Sequence, residues 1–236
     1  MARRCSHAAW LGHHQLISKP LQAEQRQETE DGLVLHRLAK HILTEGKSEH
    51  FTFFPDGYTP PVEFFTNLND FFRTHLPVLK AEMGTPCQVF PELRLSLDEH
   101  LRPAYGYPNG YFVGSLDLAL YNPDTQDLIV LDYKTERNAR LDLTDYYRAQ
   151  LALYVLLVHH AHAPVKRFQL VVHAVFPGKL KWLTEGWTKF DPDASVQDLV
   201  SLVNEALENL KEIKPKENSL CIYCSYRNQC PLFPEG

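Results

Sequence analysis

Asp117, Asp132 and Lys134 are the residues whose types and spacing could do chemistry. Residues 114–121 (GSLDLALY) alternate and are β-prone, and residues 128–133 (LIVLDY) are a short apolar run. The NPDTQD between them is dense in turn formers. A turn centred between Asp124 and Thr125 pairs positions whose numbers sum to 249, which sets Asp117 opposite Asp132. Cross-strand neighbours have Cβ atoms about 4.5–5.5 Å apart, and like charges there repel. Side chains alternate along a strand, so Asp132 and Lys134 share a face and Tyr133 points to the other. Two carboxylates and a lysine converging beside an apolar run are the chemistry of a divalent-metal site with an ammonium aimed at the reacting centre. A one-residue slip would send one aspartate to the opposite face. The alternative is then a surface hairpin with two solvated aspartates.

The segment after Lys134, TERNARLDL, carries Arg137 and Arg140, either contacts for a substrate phosphate or members of a solvated loop. Asp142 or Thr144 can cap the helix that follows. Along that helix Gln150 and Tyr154 are one turn apart and share a face, and Arg148 is a further candidate phosphate contact.

GSLDLAL, LDYKT and QLALY, in that order, resemble the nuclease signature of the RecB family within the PD-(D/E)xK superfamily. There a G-x-x-D strand, a D/E-x-K strand and a Q-x-x-x-Y helix follow one another. Gly114 and Asp117, Asp132 and Lys134, and Gln150 and Tyr154 take the matching positions. The resemblance implies that Asp117, Asp132 and the backbone carbonyl of Tyr133 hold Mg²⁺ or Mn²⁺. It adds His36, which follows Gly32 by four residues as in the G-x-x-x-H element of such nucleases. Taken alone, a histidine on an amphipathic helix is ordinarily structural; His41 ranks behind His36, and His13 and His14 behind that. Some related nucleases place an acidic residue where Glu92 stands, although in this sequence its position reads as a strand end. Such a metal activates water and offsets charge developing on phosphate. Lys134 would orient the water or stabilise that charge, and Gln150 and Tyr154 would orient nucleic acid or water.

The implied function is a metal-dependent deoxyribonuclease. The resemblance points to an exonuclease on single-stranded or end-containing DNA, in repair, recombination or CRISPR adaptation, with protein partners from such a complex. Two other classes stand beside it: a nuclease-like subunit that binds DNA ends without turnover, and a sequence-specific restriction-type endonuclease. No added recognition domain is visible for the latter.

The cysteines are Cys5, Cys87, Cys221, Cys224 and Cys230. The segment CIYCSYRNQCP is C-x2-C-x5-C, and such close spacing wraps thiolates around a metal. Three thiolates leave a fourth ligand to find, with Cys5 favoured and Cys87 second. The set Cys5, Cys221, Cys224 and Cys230 resembles that of AddB-type and CRISPR-adaptation nucleases, which implies a 4Fe–4S cluster. Thiolates suit Zn²⁺ as well. Either would staple the N-terminal segment to the C-terminal one.

The remaining pattern supplies elements to position these groups. Residues 22–45 read as a helix with Leu35, Leu38 and Ile42 on one face. A second helix spans 60–82, with a kink or stop near Pro77 and an apolar stripe of Val62, Phe65, Leu68, Phe72 and Leu76 facing the core. Cys87 then reads as a small buried residue. Strands follow at 88–98 and 166–177, with 179–183 as a hairpin partner, and an amphipathic helix at 193–213. The expectation is an α/β fold with an α-β-β-β-α-β core of PD-(D/E)xK type, a mixed central sheet flanked by helices. It is read as one nuclease domain over 1–236: a helical part (1–87), a catalytic core (88–183), and a C-terminal helix with the cysteine cap (184–236).

Net charge is −5 over 236 residues. That argues against avid sequence-independent duplex binding, which draws on many Lys/Arg–phosphate contacts. No apolar run approaches the ~18 residues of a membrane span, and the start has no apolar stretch of signal-peptide length. A cytoplasmic location is the expectation.

Overall fold

The computed structural model describes residues 23–45, 61–104, 110–135 and 144–211. The elements in chain order are α1 (Ala23–Glu45), α2 (Val62–Asp70), a π-helical turn (Phe71–His75), α3 (Leu76–Met83), β1 (Gln88–Leu97), β2 (Phe112–Asn122) and β3 (Asp127–Lys134). Then come α4 (Thr144–Ala161), β4 (Arg167–Ala174), β5 (Lys179–Trp182), β6 (Thr188–Lys189) and α5 (Pro192–Lys211). Residues 27–195 form one compact unit, which contains all six strands; a second comprises 1–26 and 196–236. The α/β architecture and the helix–three strands–helix–strand order agree with the sequence pattern. The short β6, paired with β4, had no sequence signal.

The sheet runs β1-β2-β3-β4-β5, antiparallel except for the parallel β3–β4 pair. A parallel neighbour needs a crossover, and α4 supplies it, contacting β1 through β4. Asp127, buried at the start of β3, accepts from Arg167 Nε at 2.8 Å, which pins the first pair of the parallel ladder.

One core cluster joins Val34, Leu35, Leu38, Ala39 and Ile42 of α1 to Phe64, Leu68, Phe71 and Leu79, and to sheet residues including Leu118, Ile129, Leu131 and Val171. The expected stripe holds at Leu68 and Leu76, which are buried, and differs at its other positions. Phe64 and Phe71 are fully buried, Phe65 and Phe72 only partly, and Val62 is 79% exposed. A π-helical turn (Phe71–His75) follows α2, just before Pro77. Proline has no N–H for the ladder, and the wider turn shifts the residues that follow. Cys87 is half-buried, not buried, and partial burial raises its thiol pKa.

Candidate active site

The register that sets the site is fixed by the turn between β2 and β3. Asn122 Oδ1 accepts from the backbone N–H groups of Asp124 (2.9 Å) and Thr125 (3.2 Å). Its Nδ2 donates to the Met83 carbonyl at 2.8 Å, and Gln126 N–H returns to the Asn122 carbonyl at 2.8 Å. From this anchor the strands pair Asn122 with Asp127, through to Leu118 with Leu131. These are the pairs summing to 249 that the turn position predicts. The ladder stops one step before Asp117 and Asp132. There the strands part, and Asp117 Oδ2 accepts from the Tyr133 N–H at 2.7 Å. In an extended strand the N–H and C=O of one residue leave along the same edge. The Tyr133 carbonyl is therefore aimed along the edge that faces Asp117.

The β1–β2 register adds a third carboxylate. Pro91 pairs with Leu118 and Leu93 with Leu116, so Glu92 stands beside Asp117. It lies in mid-strand, not at the strand end its sequence position implied. Glu92, Asp117 and Asp132 thus stand abreast on three neighbouring strands. Glu92 has φ +51°, left-handed backbone that costs a non-glycine residue about 1–2 kcal/mol. Such strain persists where surrounding structure enforces it, and it clusters at functional sites.

His36 of α1 closes the group. Its Nδ1 lies 3.0 Å from Glu92 Oε1 and 3.3 Å from Asp117 Oδ1. His36, Glu92 and Asp117 each offer a ligand atom within 4.8 Å of the others. Among the described residues this is the one set of three with metal-ligand spacing, and His41 is not in it. The electrostatics are those of a centre short of positive charge. Burial first, and then the Asp132 carboxylate, push Asp117 up to about 7, against the pull of His36 and the Tyr133 N–H. For His36, burial favours the neutral ring. The Glu92 hydrogen bond and the charges of Asp117, Glu92 and Asp132 outweigh it, so its pKa is raised. A divalent cation would answer both perturbations, and the mixed imidazole–carboxylate donors suit Mn²⁺ or Mg²⁺.

Lys134 pairs with Asp132 Oδ2. Gln150 Nε2 donates to Tyr154 Oη at 3.1 Å, so the pair one turn apart on α4 makes contact. A Cβ on Gly114 would sit 2.4 Å from Leu157 Cδ1 and 3.1 Å from the Tyr154 ring. The absent side chain of the G-x-x-D strand is what lets the Q-x-x-x-Y helix approach. We expect Gly114→Ala to lower stability by about 1–3 kcal/mol through overpacking. Thermal melts check this, and an unchanged melting temperature would refute the contact.

Arg148 exposes much of its side chain, and its Nε donates to the Leu183 carbonyl at 3.1 Å. Arg137, Arg140, Cys5, Cys221, Cys224 and Cys230 lie outside the described residues. No helix among the described residues is long and apolar enough to cross a membrane.

The place of Glu92 beside Asp117 was only partly legible in the sequence. Its alternation with Leu93 and Leu95 was legible, but the β1–β2 register that sets it beside Asp117 depends on a long connection with no fixed turn signal. No curated protein matches the chain. The crystal structure of SSO0001 aligns over 97% of this chain and 95% of its own, at 16% identity and a TM-score of 0.38, a likeness too distant to carry argument. The PD-(D/E)XK nuclease superfamily matches residues 2–231. With nearly its whole length matched, the chain belongs to the PD-(D/E)XK nuclease superfamily.

Proposed function

We propose that the protein is a metal-dependent deoxyribonuclease, an exonuclease on single-stranded or end-containing DNA that serves repair, recombination or CRISPR adaptation. The observation that carries this reading is the row of Glu92, Asp117 and Asp132 with His36 above it and Lys134 two residues past Asp132 on the same strand. Superfamily members are generally nucleases that use divalent metals, so the donor set and the family agree.

In this reading His36, Glu92, Asp117 and Asp132, with the Tyr133 carbonyl, hold Mg²⁺ or Mn²⁺. The ion supplies Lewis-acid activation of water and offsets charge on the phosphate. Lys134 presents its ammonium to the phosphate oxygens or the attacking water. Gln150 and Tyr154 orient the strand, and Arg137, Arg140 and Arg148 hold flanking phosphates. Cys5, Cys221, Cys224 and Cys230 hold a 4Fe–4S cluster in the same reading, with Zn²⁺ as the alternative. Iron and sulfide analysis of anaerobically purified protein distinguishes the two.

The test is incubation with end-labelled single-stranded DNA in Mg²⁺, Mn²⁺ or EDTA. Metal-dependent degradation is expected, and the label pattern gives polarity. Intact DNA with metal-loaded protein would overturn the assignment.

The site's protons predict a pH dependence. Asp117 has a raised pKa, so the folded state binds its proton more tightly than the unfolded chain does. That contribution to stability is lost as pH rises through about 7. His36 has the same sign: its contribution is full below the unfolded value and lost as pH rises through the raised folded one. Metal binding competes with both protons. Mn²⁺ is expected to raise the melting temperature more at pH 8 than at pH 6, with protons released on binding. Calorimetric titration in buffers of different ionisation enthalpy measures the release; a metal response independent of pH would refute it.

A further inference from the structure

We propose that Tyr147 is the positioning residue for Lys134, holding its ammonium on the catalytic face once Asp132 is engaged by metal. The inference deepens the nuclease reading and rests on it. Lys134 Nζ lies 4.8 Å from the centroid of the Tyr147 ring, and on another side it pairs with Asp132 Oδ2. The two contacts respond differently when the centre fills. A carboxylate that ligates a divalent cation shares its charge with it, so the Asp132–Lys134 attraction weakens. The ring face keeps its negative quadrupole whatever Asp132 does.

A lysine left without a fixed partner would spread over its rotamers, since the four-carbon stem is flexible. A group that must meet charge on a phosphate cannot be so dispersed without loss of rate. Tyr147 is suited to prevent this. It is 5% exposed, so its ring is confined by its surroundings. It lies three residues before Gln150 and seven before Tyr154, the helical spacing of one face. Tyr154 in turn sits against Gly114 of β2. The lysine is thereby referenced to the same helix face as the Gln150–Tyr154 pair.

The rival reading is a tyrosine that merely fills the core. Three replacements separate the two. Tyr147→Phe keeps the ring, Tyr147→Leu keeps apolar bulk without it, and trifluorophenylalanine at 147 keeps the shape while flattening the quadrupole. The first readout needs no activity: acylation of Lys134 by acetic anhydride with Mn²⁺ bound and no DNA present, followed by mass spectrometry. Loss of the ring's hold on the ammonium is expected to speed acylation about three- to tenfold in the Leu and trifluorophenylalanine proteins, with the Phe protein like wild type.

The second readout is cleavage with Mn²⁺. We expect kcat to fall about three- to thirtyfold in the same two proteins, with KM for DNA little changed and Phe restoring the rate. Equal behaviour of the Phe and trifluorophenylalanine proteins in both readouts would overturn the proposal, even if the Leu protein failed to fold. A wild type that cuts no DNA would sink the nuclease reading instead, and the acylation result would still decide whether Tyr147 holds Lys134.

Discussion

Asp132→Ala and Lys134→Ala are each expected to lower metal-dependent DNA cleavage by about 10²–10³-fold or more, the scale for removing a preorganised charge aimed at a transition state. Their effects on the metal-free fold should differ. Asp132 is almost wholly buried and is the largest charged contributor to the raised pKa of Asp117. Its removal relieves a like-charge contact, so the melting temperature in EDTA should hold or rise. The stabilisation by Mn²⁺ should shrink at the same time. Lys134→Ala does the reverse: it leaves the Asp132 carboxylate buried without its cation, which is destabilising. Here the melting temperature in EDTA should drop, and Mn²⁺ should restore much of it by supplying the missing charge. Rates, melts with and without metal, and far-ultraviolet circular dichroism on both proteins check this. Wild-type rates in both would sink the catalytic assignment.

That opposition of sign came from structure, but the hairpin behind it was legible in the chain. The turn residues NPDTQD placed Asp117 against Asp132 because a hairpin register follows from its turn. The hydrogen bonds of Asn122 show how that register is enforced. The α1 face was legible for a similar reason: Leu35, Leu38 and Ile42 recur at helical spacing and are buried. What failed were features set by contacts distant in sequence. The buried face of α2 is set by packing across the fold, with Phe64 against Phe176. Glu92 depends on pairing across a long connection. Tyr147, in the run DYYR, had no signal of its own, because its significance is where the Lys134 ammonium comes to rest.

Glu92 allows strain and chemistry to be separated in one position. Its backbone occupies φ +51°, where glycine is at ease and other residues are not. Its carboxylate holds His36 Nδ1 at 3.0 Å and stands beside Asp117. Glu92→Gln keeps the strain and the shape but removes the charge. Metal affinity should fall, on the order of 10–100-fold, the scale seen when even a supporting group at a metal site is lost. The pKa of His36 should also fall, since the Glu92 hydrogen bond and charge help to raise it. Glu92→Gly removes the ligand as well but relieves the backbone. It should lose at least as much metal affinity as Gln while melting above it in EDTA, by an increment on the order of 1 kcal/mol. Equal stability of the two proteins would mean the left-handed backbone is costless here. Wild-type metal affinity in both would mean that Glu92 serves only to orient His36, and that the centre is built from His36, Asp117 and Asp132 alone. If both expectations hold, the chain tolerates a strained residue in mid-strand because the third carboxylate must stand beside Asp117 and within reach of His36.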